Sequence, residues 1–388
     1  MKWLRNSIEV FIYELKCALL DEGVVVFFVI VPLLYPVLYA YLYSNENVRE
    51  VATLAIDNCN TQLSREFLRR ADATGDIEIV GHCAEMEEAK ELINQHQAYC
   101  IIYIPKDFEK NIVEFRQSTV ELYADMGSIM YYKGVLSGCT EVSLDMNNEI
   151  KAQRLPGATE EQISTFQYPI KYEYVPLTNT QSGFATFIIP GVLMMIIQQT
   201  MILGVGMMAG EEREKNRRHE AQPHIIGKNP VEMLFGKASA IFLIYVLVAT
   251  YVACIVPVLF NLAHIWHWQT LLAFMLPYVL SCTFFSIIIS AFAHDRESFI
   301  IMFVFVSIPL LFASGISWPG SNVPTFWKGF SWLFPSTFGV NGFVRISEMG
   351  ATLNDVQHEL NALWIQIVAY GIIAYLVCKR TYGKHLWE

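Results

Sequence analysis

The stretch GVVVFFVIVPLLYPVLYAYLY at residues 23–43 is one uninterrupted apolar run. It matches the roughly 20 residues that a helix needs to cross a bilayer. The next run of that length begins only at residue 184, after about 140 mostly polar residues, and from there to residue 379 the chain is largely apolar. The pattern predicts one anchor, one large water-exposed domain and a bundle of further spans. It favours transport and excludes most classes of soluble enzyme.

The composition is that of a membrane protein. Only 16% of the 388 residues are charged, against roughly 25% in soluble domains. Residues 45–183 hold 22 acidic and 12 basic side chains, so this segment carries the whole net charge of −10. Mild acidity of a water-exposed domain favours solubility rather than a particular ligand. No basic stripe lies in a water-exposed segment, and we therefore expect no binding of nucleic acid.

We predict a polytopic α-helical membrane protein with six transmembrane helices, one before and five after the polar domain. They lie at residues 23–43, 184–208, 238–260, 270–292, 299–316 and 361–379. A cleaved signal peptide is the alternative for the first run, but its apolar core would have only roughly 7–15 residues.

The distribution of basic residues predicts the orientation, because basic residues in short loops mark the cytoplasmic side. They are concentrated before residue 23, in residues 210–237 and at the C-terminus, whereas residues 261–269 contain none. We therefore expect an inner-membrane protein with both termini in the cytoplasm. The loop at 210–237 and the tail at 380–388 are then cytoplasmic, and residues 44–183 lie outside the cytoplasm.

Residues 1–22 predict an amphipathic helix ahead of the first span. Its apolar stripe consists of Leu4, Ile8, Phe11, Ile12, Leu15 and Leu19. These residues recur at helical spacing, and Trp3 suits the level of the lipid headgroups. We expect the helix to lie on the inner membrane surface, and packing on a soluble partner is the alternative.

The inserted segment at 44–183 alternates strand-like and helix-like stretches. The predicted strands are at 51–57, 77–80, 98–104, 119–124 and 168–175, and the predicted helices are at 61–71, 84–95, 107–115 and 128–154. Such alternation predicts an extracytoplasmic α/β domain whose sheet is covered by helices.

Candidate ligands for a metal are few in this domain. Asp57, Asp107 and Asp125 follow strands or begin helices, and turn or cap roles explain such residues better than a metal site. We predict no catalytic, metal or cofactor site on this chain. The cysteines of the domain are Cys59, Cys83, Cys100 and Cys139. Their spacing leaves open whether they form one or two disulfides or remain four free thiols.

The later spans contain essentially no charged side chain, which argues against a proton-driven pump or an ion channel. They do contain uncharged polar residues, among them Gln198, Gln199, Thr200, Ser281, Thr283 and Ser286. These side chains either line a substrate path or form hydrogen bonds between helices, and the second role is the commoner one.

Two loops stand out. The first begins with the densely charged run Glu211, Glu212, Arg213, Glu214, Lys215, Asn216, Arg217 and Arg218. It is either a solvated connector or a short amphipathic helix presented to a soluble partner. The second, at residues 317–360, is rich in Trp, Pro and Gly. It is too interrupted for one span, so we expect part of it to be re-entrant.

Together these features resemble the permease subunits of type-2 ABC transporters, in the subgroup with a large extracytoplasmic insert after the first span. The resemblance covers the whole chain. Its motifs are EREK at 212–215, GKNP at 227–230, SGISWP at 314–319 and FPST at 334–337.

The resemblance implies that residues 211–220 form a coupling helix that docks on an ATPase. The coupling residues would be Glu211, Glu212, Arg213, Glu214, Lys215, Arg217 and Arg218. Asn216-Arg217 stands where many members carry Gly-Thr. The resemblance further implies a dimer with a second permease copy or a homologue, and export by alternating access. A periplasmic adaptor is a further expected partner, and the uncharged spans favour hydrophobic or amphipathic cargo, drug-like or lipid-like.

ATP is expected on the partner subunit only. A Walker loop needs Gly-x-x-x-x-Gly-Lys-Ser/Thr, and Gly227-Lys228 and Gly236-Lys237 lack both the upstream Gly and the downstream hydroxyl. We therefore expect a transport subunit rather than an enzyme. The alternative is a non-transporting envelope receptor or scaffold whose extracytoplasmic domain binds a ligand or partner.

Overall fold

The computed structural model describes residues 2–127, 129–154, 183–218, 228–262, 264–297, 299–301 and 322–382, with 159, 162, 164–165, 178–179 and 309. The chain forms two units. The membrane unit comprises Met1–Glu46 and Pro176–Glu388, and the α/β unit comprises Asn47–Val175. Four predicted features lie wholly or largely outside the described residues: the strand at 168–175, most of the span at 299–316, the motif at 314–319 and most of the tail.

The chain begins with two helices, α1 at Lys2–Leu20 and α2 at Glu22–Leu42. The Asp21 side chain accepts a hydrogen bond from the Val24 amide at 3.0 Å and so caps α2. A π-helical turn at Val26–Ile30 precedes two prolines, Pro32 and Pro36. Because proline has no amide hydrogen, it interrupts the regular hydrogen-bond ladder of the helix.

The α/β unit follows. Its elements in chain order are β1 at Val51–Asp57, α3 at Gln62–Asp72, β2 at Ile77–His82, α4 at Met86–Asn94, β3 at Cys100–Ile104, α5 at Phe108–Val113, β4 at Glu121–Ala124 and α6 at Ile129–Gln153. The strands lie in the order β2-β1-β3-β4. The first three are parallel, and β4 is an antiparallel edge strand that pairs Ala124 with Cys100. Four of the five predicted strands are thereby confirmed, the first with its predicted bounds.

Helices cover both faces of this sheet. On one face, α3, α5 and α6 pack on residues that include Ala55 and Ile102, and on the other α4 packs on residues that include Leu54 and Ile101. Strands buried on both faces explain the nearly continuous apolar sequence of β1 and β3.

Three aspartates of this unit were candidate metal ligands: Asp57, Asp107 and Asp125. The side chains of Asp57 and Asp125 instead accept hydrogen bonds from neighbouring residues. The Asp57 carboxylate accepts hydrogen bonds from the amides of Cys59 and Asn60 and from the Ser64 hydroxyl. Asp125 accepts one from the Gly127 amide at 2.8 Å. Asp107 occupies the predicted N-cap position of α5, but its side chain makes no cap hydrogen bond. The turn interpretation therefore holds for Asp57 and Asp125.

The cysteines of the α/β unit are free thiols, so the disulfide alternative is wrong for this structure. Cys100 and Cys139 lie in the sheet–helix core. Burial raises the pKa of the Cys100 thiol to about 11 and that of the Cys139 thiol to about 12. Both are therefore held as neutral, unreactive side chains.

The remaining described elements of the membrane unit are helices. They are α7 at Phe184–Arg217, α8 at Pro230–Leu259, α9 at Trp268–Phe292, α10 at Thr325–Ser331, α11 at Pro335–Met349 and α12 at Gln357–Tyr382. Among the described residues five helices are long and apolar enough to span a membrane: α2, α7, α8, α9 and α12. The chain is thus a multi-pass helical membrane protein with a small sheet.

Helix α7 is the centre of the membrane unit. In its most apolar window 83% of the residues are buried, against 28% in α2 and 17% in α12. Three glycines of α7 allow neighbouring segments to approach it closely. Gly204 lies against the ring of Phe28, Gly206 lies against the ring of Phe299, and the backbone of Asp295 passes Gly210. Any side chain at these positions would collide with its neighbour.

The segment at 317–360 contains two short helices within its described part. Only three residues separate α10 from α11, and α11 ends at Gly350 in the left-handed conformation with φ 63°. The Ser336 amide, in the first turn of α11, donates to Gln198 Oε1 on α7 at 2.7 Å. The segment is therefore folded against α7, and its re-entrant depth in a bilayer stays a prediction.

Candidate functional site

The charged run is the end of α7. Residues Glu211 to Arg217 continue that helix without a break, and Arg218 is its C-terminal cap residue. The prediction of a separate short helix is therefore wrong as far as Arg217, and residues 219–227 lie outside the described part. The run contains good helix formers, and Lys215 Nζ lies 2.6 Å from Glu211 Oε1, one turn earlier.

Glu211 belongs to a group that we call the Arg296 clasp, formed by Asp21, Glu211 and Arg296. The guanidinium pairs with both carboxylates, and its distance to Asp21 Oδ2 is 2.6 Å. Burial alone would raise the pKa of the Asp21 carboxyl, but the Arg296 guanidinium outweighs it and holds that pKa below its ordinary value. The clasp joins the α1–α2 junction, the end of α7 and the segment after α9.

Glu212 belongs to a second group, the charged node, formed by Glu14, Glu212, Lys237 and Tyr382. Lys237 Nζ lies 2.6 Å from Glu212 Oε2 and 3.0 Å from Glu14 Oε1. The Tyr382 hydroxyl donates to Glu212 Oε2 at 2.9 Å. The node joins α1, α7, α8 and α12, and it borders a cavity of about 40 Å³. That space suffices for a water molecule.

The node is almost fully buried: the exposed fractions are 5% for Glu14, 11% for Lys237 and 12% for Glu212. Burial raises the pKa of the Glu14 carboxyl, against the opposing effect of the Lys237 ammonium. Charges removed from water are tolerated only when they are paired. Each charge in the node consequently depends on the others.

Three further members of the charged run, Arg213, Glu214 and Arg217, contact the segment after α9. Arg213 Nη1 donates to the Ala293 carbonyl, and Arg217 Nη2 donates to the His294 carbonyl at 3.1 Å. Glu214 Oε1 accepts from the Arg296 amide at 3.3 Å. Arg217 and Arg218 are exposed. Hence the glutamates mainly link helices of the same chain, and the two arginines remain accessible to another protein.

Helix α1 is held on α8 by one face. Its buried residues are Asn6, Val10, Glu14 and Ala18. Asn6 Nδ2 donates to Glu232 Oε2 at 3.0 Å, and Lys228 pairs with Glu9 at 3.0 Å. Of the predicted apolar stripe, Leu4, Ile8, Ile12 and Leu19 are about half exposed, whereas Leu15 packs against the core. Such a face suits a membrane surface.

The six residues predicted to line a substrate path fall into two groups and one remaining residue, according to their hydrogen bonds. Gln198, Thr200 and Ser281 link helices: Gln198 accepts from α11, Thr200 accepts from Tyr245 at 3.1 Å, and Ser281 donates to Gln366 at 3.1 Å. Thr283 and Ser286 donate to carbonyls of their own helix. All five are buried, whereas Gln199 is half-buried. These contacts favour the interhelical role for the first three, and a path role stays a prediction.

The opposite end of α7 carries a different acidic group. The Glu46 carboxylate accepts from the amide and the hydroxyl of Thr186 at 3.1 and 2.7 Å, which places a negative charge at the positive end of α7. Nearby, Glu348 is only 6% exposed, and its Oε1 has no hydrogen-bond partner within the described ranges. Burial, with repulsion from Glu46, raises the pKa of Glu348 to about 8.

Sequence reasoning missed Glu14, Asp21, Lys237, Arg296 and Glu348. From the sequence, Lys237 was assigned to a cytoplasmic loop at residues 210–237. In the structure α8 already begins at Pro230, so Lys237 lies within that helix. A local signal for that helix start exists: Asn229 and Glu232 form a capping box, and Pro230 occupies the first turn. No local signal pairs Lys237 with a residue more than 200 positions away.

Comparison with known proteins gives a family match and two relatives. The model of a family described as "ABC-2 family transporter protein" matches residues 23–376. Two curated proteins are similar, each named "Probable multidrug ABC transporter permease YbhR", from Escherichia coli strain K12 and from Escherichia coli O157:H7. Each is 22% identical over 341 residues, which cover 85% of this chain and 86% of the relative.

Proposed function

Because this chain belongs to the ABC-2 family of transporter proteins, we propose that it is the permease subunit of an ATP-driven exporter. Family membership identifies a multi-pass membrane permease and implies partnership with an ABC ATPase subunit. The proposal adds that the ATPase is a separate chain, that transport is outward and that alternating access drives it. The observation that carries it is the family match over residues 23–376, which extends across both units.

We place the ATPase contact at the end of α7. Arg217 and Arg218 are the exposed members of the charged run, and they lie beside the Arg296 clasp and the charged node. Helix α7 has 34 residues, which corresponds to roughly 50 Å. A displacement at Arg217 would therefore be carried along one continuous buried helix to Phe184, and through the two charged groups to α1, α8 and α12.

The charge distribution supports a cytoplasmic position for this end. Arg213, Arg217, Lys237 and Arg296 lie together there, and basic residues mark the cytoplasmic side of membrane proteins. Both termini are then cytoplasmic, and the α/β unit lies on the far side of an inner membrane. There it would guard the exit or meet a periplasmic adaptor.

We propose hydrophobic or amphipathic cargo, drug-like or lipid-like. The relatives are named as probable multidrug permeases, and the path residues of this chain are uncharged. In an assembly of two permeases, a second copy or a homologue would complete the path. Gln199 is the half-buried member of the path set, and we place it at the surface between the two permeases.

Co-purification from mild-detergent membranes tests the ATPase contact. The double variant Arg217→Glu/Arg218→Glu should lose a co-purifying ATPase and the ATP hydrolysis that accompanies it. The matched control is Lys379→Glu/Arg380→Glu, which makes the same charge change on exposed residues near the end of α12. This control should retain the ATPase.

Two results would contradict the proposal at different levels. If the arginine variant keeps its ATPase, the contact lies elsewhere. If the unaltered chain yields no ATPase under any nucleotide condition, the exporter proposal fails, and a non-transporting receptor or scaffold takes its place.

A further inference from the structure

The α/β unit contains a long cavity that the proposed transport function does not use. It lies on the α3 face of the sheet, between α6 and the segment that joins α5 to β4. Its volume is about 630 Å³, and ligand pockets typically measure roughly 300–1,000 Å³. The cavity is therefore large enough to bind a small molecule.

The floor of this cavity is apolar and belongs to the core of the unit. Its members come from five elements and are Phe67, Ile102, Phe108, Leu122 and Met146. All five belong to, or pack against, one cluster of buried residues. A ligand seated there would bury apolar surface, which is the main favourable contribution to binding an apolar chain.

The cavity is long and narrow. Residues of α6 and its C-terminal neighbour line it from Leu136 to Arg154, a distance of roughly 27 Å at the helical rise of 1.5 Å per residue. A ligand that fills the whole cavity must therefore be extended along α6, as a hydrocarbon chain is, rather than compact.

One end of the cavity is cationic. Arg116, Lys151 and Arg154 line it, and no acidic residue is among the lining side chains of the described unit. The Arg154 guanidinium is fixed, because it lies 4.3 Å from the centre of the Phe115 ring and donates to the Ile112 carbonyl at 2.5 Å. Arg116 also lies 3.5 Å from Glu114.

A polar group on the wall lies close in sequence to these cations. The Ser118 hydroxyl oxygen is buried and has no hydrogen-bond partner in the part of the chain that the structure describes. Buried hydroxyl groups are normally hydrogen-bonded. Ser118 therefore offers a donor to an anionic group that the three cations would attract.

We propose that this cavity binds a single-chain amphipathic anion, namely a long-chain fatty carboxylate. The hydrocarbon chain would lie along α6 over the apolar floor, and the carboxylate would lie between Arg116, Lys151 and Ser118. The α/β unit is acidic in sequence, but this end of the cavity is cationic. A negatively charged head group complements the cationic end, which favours an anionic amphiphile over a cationic or neutral one. Binding requires neither the ATPase nor transport.

Energy transfer from a tryptophan to a dansyl-labelled long-chain fatty acid tests the proposal on the full chain in lipid nanodiscs. None of the eight tryptophans lies between residues 4 and 265, so Leu144→Trp places a donor on the cavity wall. Val80→Trp is the matched control, because Val80 is 47% exposed against 48% for Leu144 and lies outside the cavity. With Leu144→Trp, energy transfer to the dansyl group should rise and saturate as the labelled fatty acid is added. With Val80→Trp this saturable energy transfer should be absent.

Competition identifies the chemistry of the ligand. Unlabelled hexadecanoate should displace the saturable signal, and hexadecylamine of equal chain length should not. Absence of the added signal, or equal displacement by the amine, would overturn the proposal. Neither result bears on ATPase co-purification, so this inference and the proposed function fail separately.

Charge reversal at the cationic end provides a second test. Arg116→Glu and Lys151→Glu should each weaken binding by about tenfold or more, because each removes a charge-assisted contact. Lys90→Glu, on α4 across the sheet, should leave binding unchanged. Since Arg116 is 72% exposed, its replacement should leave the fold intact, and unaltered binding by both cavity variants would contradict the assignment.

Discussion

The two ends of the membrane unit handle buried acids in opposite ways. At the end that carries Arg217, the carboxylates of Glu14, Glu211 and Glu212 lie close to a lysine or an arginine. At the other end, Glu348 is buried beside Glu46 with no hydrogen-bond partner for its Oε1 in the described residues. In the first arrangement a cation opposes the cost of burying each acid, whereas in the second the pKa of Glu348 is raised to about 8 by burial and by repulsion from Glu46.

The largest effect is expected from Lys237→Met. The substitution leaves Glu14 and Glu212 buried without their shared cation, and loss of one partner of a buried pair typically costs about 3–5 kcal/mol. Thermal or denaturant unfolding in detergent should show that loss. Lys379→Met, at an exposed position, should change stability little, and equal effects of the two variants would show that the node is solvated.

A pH-dependent stabilisation is expected from Glu348→Gln. The pKa of Glu348 is raised from 4.5 to about 8, so its contribution to stability is present below pH 4.5 and is lost as the pH rises through about 8. The variant should therefore match the unaltered chain at pH 4 and be more stable by about 2–4 kcal/mol at pH 9. A pH-independent difference would show that Glu348 is solvated or paired.

A smaller effect is expected in the middle of the bundle, where the links are uncharged. Gln198→Leu removes the acceptor of the Ser336 amide, and hydrogen bonds between membrane helices contribute about 0.6 kcal/mol on average. We expect a destabilisation of about 1 kcal/mol in an unfolding titration. Gln199→Leu is the control at a half-buried neighbour. If Gln198→Leu lowered the stability as much as Lys237→Met does, the charged links would not be stronger than the uncharged ones.

The smallest effect is expected from Asp21→Asn, with a sign opposite to that of Glu348. The lowered pKa of Asp21 means that its stabilising contribution is present above pH 3.8 and is lost as the pH falls through the folded-state pKa. Because the clasp is partly solvated, we expect a loss of only about 0.5–1 kcal/mol at pH 7. The two proteins should converge in stability once the pH falls below the folded-state pKa of Asp21.

Local sequence pattern was sufficient to predict most strands and helices of the α/β unit. Strand β1 was predicted with its observed bounds because a short β-branched run between turn residues has few alternatives. The Asp107 cap failed because a residue type can suit a cap position without its side chain reaching an amide. The long apolar runs likewise predicted α2, α7, α8, α9 and α12.

The charged groups could not be predicted for a different reason. Glu211 and Glu212 look like a solvated run in sequence, and only the packing of α7 against α1 and α8 directs them to Arg296 and Lys237. The same packing explains why α7 continues to Arg217. A sequence pattern records which residues share a helix face, but it does not record which distant helix covers that face.

The charged node also has a consequence for the order in which the protein is made. Glu14 on α1 is synthesised before Glu212 and Lys237, and Tyr382 on α12 is synthesised after all three. The node cannot close until α12 is in place, so earlier intermediates hold Glu14, Glu212 and Lys237 as an incomplete set. A chain that lacks α12 therefore holds these three charged side chains without the Tyr382 hydroxyl that donates to Glu212.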